Sequence, residues 1–466
     1  MRLLHIVLGA LAGALVAGCA TDPPPTREEI QQQSDLLSRL SLLNPWKAGA
    51  PAAGAPAVPE AGIRDNWLAT FGDPQLDALV VETMNNNPDL RVASIKVEKA
   101  GEYVELANAA LLPSVHLFGT GGVKMSGSDA LKGVSLGASW EPDLWGKLRY
   151  GRNAAQETYA SAQADLEFAR QSLAASTAKS WFTATETWQQ QQITDEMVQA
   201  AQLLVTLAEQ RQRIGPGTEQ DVMLARANLG NYQDSAQQVG LAHQQAQRAL
   251  EQLLGRYPAA ELAARRELSQ MPPAVPAGLP LEMLERRPDL IAAERRVAAA
   301  FNRVGEAKAA RLPSIILSAN VAWIESDILQ LKDDLSNPLG GAGAKFLAPV
   351  YEGGALVTQV RIRTLEQKEA AAQYAQMALR ALGDVETALA AGRTLAEREQ
   401  VLLSVKNDSE QALAMAQTRY RVGSGDLRAV QQQQLSVYAA RLALLHVQSE
   451  QLAQRANLHR ALGGSF

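Results

Sequence analysis

The sequence has little of what disulfide-rich, metal-cluster and nucleic-acid-binding proteins need. Its 466 residues include one cysteine, which excludes an internal disulfide framework, a zinc site of several cysteines and an iron–sulfur cluster. Basic residues do not exceed acidic ones, with 44 Lys and Arg against 49 Asp and Glu, so no basic surface favours nucleic acid as a partner. Aromatic residues make up only 5%, while Ala, Gln, Leu and Glu recur, a bias that favours long helices.

Residues that carry catalysis or bind metals are scattered. The nine methionines do not cluster, and no nucleophile with a base, paired acid or phosphate-binding loop is found. No two of the five histidines have the spacing of helical metal ligands, and His5 lies in the amino-terminal apolar run. We therefore predict no catalytic residue, no metal site and no cofactor other than a covalent lipid. We interpret the other four histidines as surface, lumen or packing residues: His116, His243, His446 and His459.

The amino terminus carries the one long apolar run, from Leu3 to Ala17. This run is shorter than the ~20 residues of a membrane-spanning helix, and it predicts a secretory signal peptide over residues 1–18. The segment from Val16 to Cys19 resembles a bacterial lipobox, in which the cysteine thiol is lipidated and the chain is cut before it. Ala20 follows where an aspartate would signal inner-membrane retention, so sorting to the outer membrane is expected. The alternative is a signal peptide with an incidental cysteine.

Residues 19–62 are predicted to be a lipidated tether rather than a folded domain. A short helix is predicted from Thr26 to Leu43, and the run from Ala48 to Gly62 consists mostly of Ala, Pro and Gly. Such composition is typical of linkers.

The remainder of the chain is an internal duplication. Residues 88–117 align without a gap on 288–317, an offset of 200, with 14 identities in 30 positions. A later block repeats at an offset of 208, including the pairs Arg211/Arg419 and Gly215/Gly423. These matches predict a first repeat over 63–270 and a second over 271–466.

Each repeat is predicted to contain a helix, two strands, a long helix and a return helix. The opening helices span 88–110 and 288–310, the long helices 149–214 and 355–422, and the return helices 219–254 and 427–462. Alternating apolar residues predict strands in both repeats, as in Val134, Leu136, Ala138 and Trp140 or in Ile315, Leu317, Ala319, Val321 and Trp323. A helix of ~65 residues is about 100 Å long, and its polar face suits a periplasm better than a membrane.

Four strands cannot form a closed sheet in lipid. Two edges would remain without backbone hydrogen bonds, so closure must come from other copies of the chain. Two copies would give a filled eight-stranded interior, whereas three give twelve strands and room for a pore.

Several motifs resemble the TolC-like outer-membrane efflux family in its lipoprotein branch (OprM/NodT type). They are the lipobox, the segments 67–73, 140–146 and 284–290, and the terminal Ala461-Leu462-Gly463-Gly464. The resemblance covers nearly everything from Trp67 to Phe466. It implies a mostly helical chain with a small β part, whose long helices form an α-barrel and whose four strands enter a trimeric 12-stranded outer-membrane β-barrel.

The turns after the long helices would then form a periplasmic gate. The resemblance implies an iris of salt bridges and hydrogen bonds between helices; the alternative is a set of solvated helix ends, with Asp426 as an N-cap. Where relatives tend to carry an acid in the second return helix, this chain has Gln431 to Gln434. The gate candidates are Arg211, Arg213, Asp221, Arg419, Tyr420, Arg421 and Asp426.

The resemblance implies a passive exit duct of a tripartite, RND-type efflux pump for drugs or other small molecules. Its expected partners are two further copies of the chain, a periplasmic adaptor (membrane fusion protein), an inner-membrane transporter and outer-membrane lipid, with no nucleic acid. The expected location is the outer membrane, with a lipid anchor and an extension into the periplasm. The alternatives are the outer-membrane channel of a type I protein secretion system and a periplasmic coiled-coil scaffold that forms no channel.

The lipobox generates the first prediction. Cys19→Ser should abolish incorporation of labelled palmitate and weaken membrane attachment, because a hydroxyl does not replace the thiol as lipid acceptor. The neighbouring Ala20→Ser variant, which keeps Cys19, should still be labelled. Normal labelling of Cys19→Ser would contradict the assignment.

Overall fold

The computed structural model describes residues 22–33, 46, 66–120, 132–263, 265–273, 280–325 and 339–464. The predicted signal peptide and Cys19 lie outside these residues, as does most of the predicted tether. The first half of the chain contains α1 Arg27–Gln33, a 3-10 turn Leu68–Phe71, α2 Pro74–Asn86, α3 Pro88–Ala109, β1 Ser114–Thr120, β2 Lys132–Trp140, α4 Lys147–Ile214 and α5 Glu219–Leu253.

The second half repeats this order. It contains α6 Pro280–Arg286, α7 Pro288–Ala309, β3 Ser314–Glu325, β4 Leu339–Leu347, α8 Ala355–Arg421 and α9 Leu427–Ala461. The opening helices α3 and α7 both have 22 residues, the return helices α5 and α9 both have 35, and the long helices α4 and α8 have 68 and 67. The predicted fold class, mostly helical with four strands and an internal duplication, is confirmed, whereas the repeat boundaries 63–270 and 271–466 stay a prediction.

Local details differ from the predictions. Helices α2 and α6 were not expected, and the helix predicted over 26–43 is observed as α1 within the part of it that the structure describes. The long helices match the predicted spans to within two residues at each end, because no proline interrupts them. None of the helices among the described residues has both the length and the apolarity to cross a membrane.

The starts of α3 and α7 show how the two halves keep one architecture with different side chains. Asn87 caps α3 by accepting from the backbone N–H of Asp89 and Leu90, and its amide donates to the carbonyl of Leu253 at 2.9 Å. In the second half Arg287 takes the place of Asn87 and donates to the carbonyl of Ala461 at 3.2 Å. Leu253 and Ala461 occupy equivalent positions, so each return helix has a terminal carbonyl satisfied by the opening helix of its own half.

The four strands form one antiparallel sheet in the order β1-β2-β3-β4. Leu136 lies opposite both Leu117 of β1 and Val321 of β3, and Leu317 of β3 lies opposite Ala344 of β4. The alternating apolar residues predicted on β2 and β3 therefore share one face with Leu117 of β1 and Ala344 of β4, and we call it the apolar face. The other, called the polar face, carries His116, Ser135, Ser139, Ser318, Asn320 and Lys345.

The chain divides into two compact units, and neither unit is one of the repeats. The described residues of the strand unit are 22–33, 94–120, 132–165, 289–325 and 339–377, and they contain the sheet. Within it, α1 is packed rather than free: Ile30 is fully buried, Arg27 pairs with Glu294 at 2.6 Å, and Gln31 donates to the hydroxyl of Tyr374. Part of the segment predicted to be a tether is therefore docked, because α1 carries an apolar residue that the unit can bury.

The described residues of the helical unit are 46, 66–93, 166–263, 265–273, 280–288 and 378–464, and Asp73 organises its core. This carboxylate is 2% exposed; it caps α2 and accepts hydrogen bonds from Trp181 at 3.0 Å and Ser269 at 2.7 Å. Arg265 pairs with it at 2.9 Å. Burial alone would raise the pKa of Asp73, but the hydrogen bonds to its charged form outweigh burial and lower it.

Glu251 holds the connector between the two halves in a similar way. Its buried carboxylate accepts from the backbone N–H groups of Ala260, Glu261 and Leu262 at 2.8 to 3.0 Å. Burial raises the pKa of Glu251, but these three donors and the nearby charge of Arg256 lower it overall. Because Asp73 also bonds Arg265 and Ser269, two ionised carboxylates fasten the connector to the helical unit.

His459 occupies the position in the second half that Glu251 occupies in the first. It is 3% exposed, its ring stacks on Trp67 with centroids 5.4 Å apart, and no group in the described part of the chain hydrogen-bonds to either ring nitrogen. Burial, with a smaller contribution from the charge of Arg455, lowers the pKa of His459 from 6.5 to about 4. The residue is therefore a neutral packing group, as the sequence predicted for the histidines.

This burial generates a stability prediction. Between pH 6.5 and about 4 the unfolded chain binds a proton at His459 that the folded chain does not, so stability falls as the pH falls through this window. The loss approaches ~3 kcal/mol, since one pKa unit corresponds to ~1.4 kcal/mol. His459→Phe, which keeps an aromatic ring against Trp67, should remove this loss.

The measurement is the unfolding midpoint, followed by circular dichroism, of the wild type and His459→Phe at pH 7, 6, 5 and 4. The difference between the two midpoints should shift in favour of His459→Phe as the pH falls, since only the wild type loses the contribution of His459. Parallel curves over the whole range would show that His459 does not control acid stability.

Candidate functional site: the two helix turns

The turn after α4 is shaped by two glycines. Gly215 has a φ of +106°, a conformation that side chains rarely adopt. Gly217 lies against the end of the helix, and a Cβ there would come within 2.7 Å of the backbone nitrogen of Gln212. Thr218 then caps α5 in a capping box with Asp221, whose carboxylate accepts from the Thr218 backbone at 3.0 Å.

The turn after α8 repeats this geometry. Gly423 has a φ of +82°, and a Cβ on Gly425 would come within 2.9 Å of the backbone nitrogen of Tyr420. Asp426, at the position equivalent to Thr218, caps α9 by accepting from the backbone N–H of Arg428 at 3.1 Å. The N-cap interpretation of Asp426 is confirmed, and Asp221 has a capping role that the sequence analysis did not assign.

Arg211 and Tyr420 join the two turns. The guanidinium of Arg211 lies 4.6 Å from the centre of the Tyr420 ring and also donates a hydrogen bond to the Tyr420 carbonyl. Both side chains are gate candidates, so the structure brings these two together. We call this contact the Arg211–Tyr420 clasp.

The clasp lies over a small apolar core. Tyr420 is 4% exposed and packs in a cluster with Leu204, Val205, Ala208, Val222, Ala225, Leu427 and Val430. Burial raises the pKa of Tyr420; the charge of Arg211 opposes this shift, and the carboxylates of Asp221 and Asp426 add to it. Tyr420 therefore stays a neutral phenol over the pH range of ordinary growth.

The other three arginines among the gate candidates stay apart from this contact. Arg213, Arg419 and Arg421 are exposed, and the described residues give them no ion pair. Ile214 and Val422, equivalent residues beside the turns, are 81% and 73% exposed. The described part of the tip therefore presents cations and two apolar side chains outward, and no salt bridge joins the candidates to one another.

Farther along the helices, Arg441 makes ion pairs that the sequence analysis missed. It pairs with Glu410 of α8 at 2.8 Å and with Glu196 of α4 at 3.0 Å, so one side chain of α9 reaches two other helices. Tyr438 supports the same region through a hydrogen bond with Thr194 and an edge contact with Tyr232. No local signal marks these residues, because their partners lie far away in the sequence.

Histidines and acids do not gather into a metal site in the described ranges, where no three of the side chains His, Cys, Asp and Glu lie close enough to hold an ion. His446 pairs with Glu186 at 2.9 Å, and His243 bonds Thr187 at 3.1 Å. These contacts each join two helices. The described side chains at the turns thus supply charge, an aromatic ring and helix caps.

Known proteins are similar to this chain over nearly its whole length. The family described as outer membrane efflux protein matches residues 79–256 and 279–464. The pyoverdine export outer membrane protein OpmQ of Pseudomonas putida is 30% identical over 99% of this chain and 97% of its own length. The probable efflux pump outer membrane protein TtgC of the same species is 28% identical, with coverages of 90% and 89%.

A solved structure agrees. The outer-membrane channel OprN superposes with a TM-score of 0.81 at 26% sequence identity, covering 90% of this chain and 96% of that one. The two segments matched by the family correspond to the two halves described above, each with its opening helix, strands and long helix pair. The chain therefore belongs to the outer membrane efflux protein family.

Proposed function

We propose that this chain acts as a homotrimer that forms the passive exit duct of a tripartite, RND-type efflux pump. A periplasmic adaptor and an inner-membrane transporter deliver a small-molecule substrate to it, and the chain itself performs no chemical reaction. The observation that carries the proposal is a four-stranded sheet with one apolar face, joined to helices of 68 and 67 residues in a member of this family.

The lengths of the elements support a duct that serves two compartments. A helix of 68 residues is about 100 Å long, more than three times the thickness of a bilayer's hydrocarbon core. The apolar face of the sheet suits lipid, and strands with a polar face suit a water-filled pore. The proposed lipid on Cys19 adds an anchor in the outer membrane, although a single chain of this kind does not span it.

The functional test is deletion of the gene in its native host, followed by growth with antibiotics, dyes, solvents and metal ions. Loss of the duct should raise sensitivity to the exported class, and a plasmid copy should restore resistance. In a planar bilayer the purified protein should conduct ions as a trimer. Unchanged sensitivity together with an absence of conductance would contradict the proposal.

The proposed gate lies at the two helix turns. The Arg211–Tyr420 clasp holds the end of α4 against the end of α8 within one chain, next to the glycine turns that reverse both helices. A cation–π contact at a partly exposed site contributes ~0.5–1 kcal/mol, and a trimer contains three such contacts. Loss of all three contacts would therefore favour the open state of the gate.

Two arginines of the same helix end allow a matched comparison. Arg211→Ala removes the clasp, whereas Arg213→Ala removes the same charge from an exposed side chain two residues away. Single-channel conductance should therefore rise for Arg211→Ala and stay near the wild-type value for Arg213→Ala. Equal conductance in both variants, with intact trimers, would show that the clasp does not close the pore.

Asp426 requires a different substitution. Replacing an N-cap by alanine costs ~1 kcal/mol of helix stability, which would confuse loss of charge with loss of the cap. Asp426→Asn keeps the cap and removes the charge. Combined with Arg419→Ala and Arg421→Ala, it measures the effect of the charges at the turn on single-channel conductance without unfolding the turn.

A further inference from the structure

The four described strands contain four titratable residues, and two of these lie on the polar face. They are His116 of β1 and Lys345 of β4, whose side chains are both exposed. The other two, Lys132 and Glu325, lie opposite each other at the far ends of β2 and β3, at positions that belong to the alternation of the apolar face. The polar face of these strands therefore carries a lysine, a histidine and no carboxylate.

The ammonium group of Lys345 has no partner in the described part of the chain, where its side chain makes neither an ion pair nor a hydrogen bond. The residue opposite Lys345 is Ile316, which brings no charge. Toward the start of β4 the next two residues on the same face are Gly343 and Gly341, which have no side chain to cover the lysine. The charge of Lys345 is therefore open to ions in solution.

Two acids at the helix end of the sheet have cations of their own. Glu141 directly follows β2, and its carboxylate accepts a hydrogen bond from Nζ of Lys147 at 2.6 Å. Asp143 pairs with Arg149 at 3.1 Å. Because each of these carboxylates is balanced within the β2–α4 connection, neither cancels the charge of Lys345.

The internal duplication does not repeat the two charges of the polar face. By the offsets of 208 and 200, Lys345 corresponds to Gly137, and His116 corresponds to Ile316. Each chain therefore contributes one lysine and one histidine. In the trimer proposed above, symmetry places three copies of Lys345 at one height around the axis, so that their potentials add at the centre.

We propose that the part of the duct lined by the sheet favours anions and that Lys345 supplies the charge responsible. This inference rests on the proposed function, because it takes the polar face to line the pore of the trimer. Three lysines attract anions and repel cations, and the serine hydroxyls and the amide of Asn320 on the same face can donate hydrogen bonds to an anion. The exported small molecules then include organic anions such as carboxylates.

Salt concentration sets the size of this preference. The field of a charge in water extends over a Debye length of ~10 Å at 0.1 M salt but only ~3 Å at 1 M. A pore with low-dielectric walls concentrates the field of the charges that line it. The preference for anions should therefore be pronounced at 0.1 M salt and largely lost at 1 M.

The test measures the permeability ratio of chloride to potassium. It is obtained from the reversal potential of the purified full-length trimer in a planar bilayer, under a KCl gradient near 0.1 M. Lys345→Gln should lower the ratio about threefold, because three charges are lost together, and Lys345→Glu should lower it further. Lys345→Arg keeps the charge and should keep the wild-type ratio.

Ser318 allows a matched control that moves the charge without changing its amount. It lies on the polar face opposite Gly343, where the missing side chain leaves room for a longer residue. Lys345→Gln/Ser318→Lys has the net charge of the wild type and should recover most of the ratio lost in Lys345→Gln. Recovery would show that the charge acts through its field in the pore.

Three results would overturn the inference. The first is a conducting trimer whose ratio is the same in the wild type, Lys345→Gln and Lys345→Glu. The second is a ratio that Ser318→Lys does not recover. The third is found in the native host, if a plasmid copy of Lys345→Glu lowers resistance to cationic dyes as much as to anionic ones.

Failure of the proposed function gives a different result. A protein that never conducts ions would refute the trimeric duct itself, whereas the first two results above require a conducting trimer. The conductance of the wild type therefore separates the two failures.

Discussion

The need to pair every backbone polar group inside a membrane governs this architecture. A sheet of four strands has two open edges, and water cannot satisfy those edges in lipid. Duplication meets part of this need, because the second hairpin extends the sheet of the first. Strands β2 and β3 pair from Lys132 and Glu325 to Trp140 and Leu317. Further copies of the chain can then continue the sheet in the same way until it closes.

Duplication preserved geometry while individual side chains diverged. Asn87 and Arg287 satisfy equivalent carbonyls with different chemistry, one with an amide and the other with a guanidinium. Glu251 and His459 diverged further. Glu251 is an ionised carboxylate that binds the connector, whereas His459 is a neutral ring stacked on Trp67. At this position the first repeat holds the connector that follows its return helix, whereas the second repeat packs a ring against Trp67.

Features with a local cause were predictable from the sequence. The long helices follow from uninterrupted helix-forming residues, the strands from alternation, and the turns from Gly215 and Gly423 with positive φ. The cap at Asp426 was also predictable, because a cap depends on residues two or three positions away. The lipid site at Cys19 rests on sequence alone.

Features that depend on distant partners were not predictable. The sequence identifies Asp73 only as an N-cap. Its other partners, Trp181, Arg265 and Ser269, lie far from it along the chain. In the sequence Arg441 likewise does not differ from other charged helix residues. Only the tertiary structure shows its ion pairs with Glu196 and Glu410. At the candidate gate, the seven residues share one region, but only the tertiary structure selects Arg211 and Tyr420 as the pair in contact.

In the proposed trimer, the repeat offset places different side chains at the contact between chains that would correspond to the Arg211–Tyr420 clasp. By the repeat offset, the residue equivalent to Arg211 is Arg419 and the residue equivalent to Tyr420 is Gln212. In a trimer the junction between the second turn of one chain and the first turn of the next would therefore set an arginine beside an amide, without an aromatic ring. The ring of helix ends would then have three stronger contacts within chains and three weaker contacts between chains. Opening would begin at the three contacts between subunits.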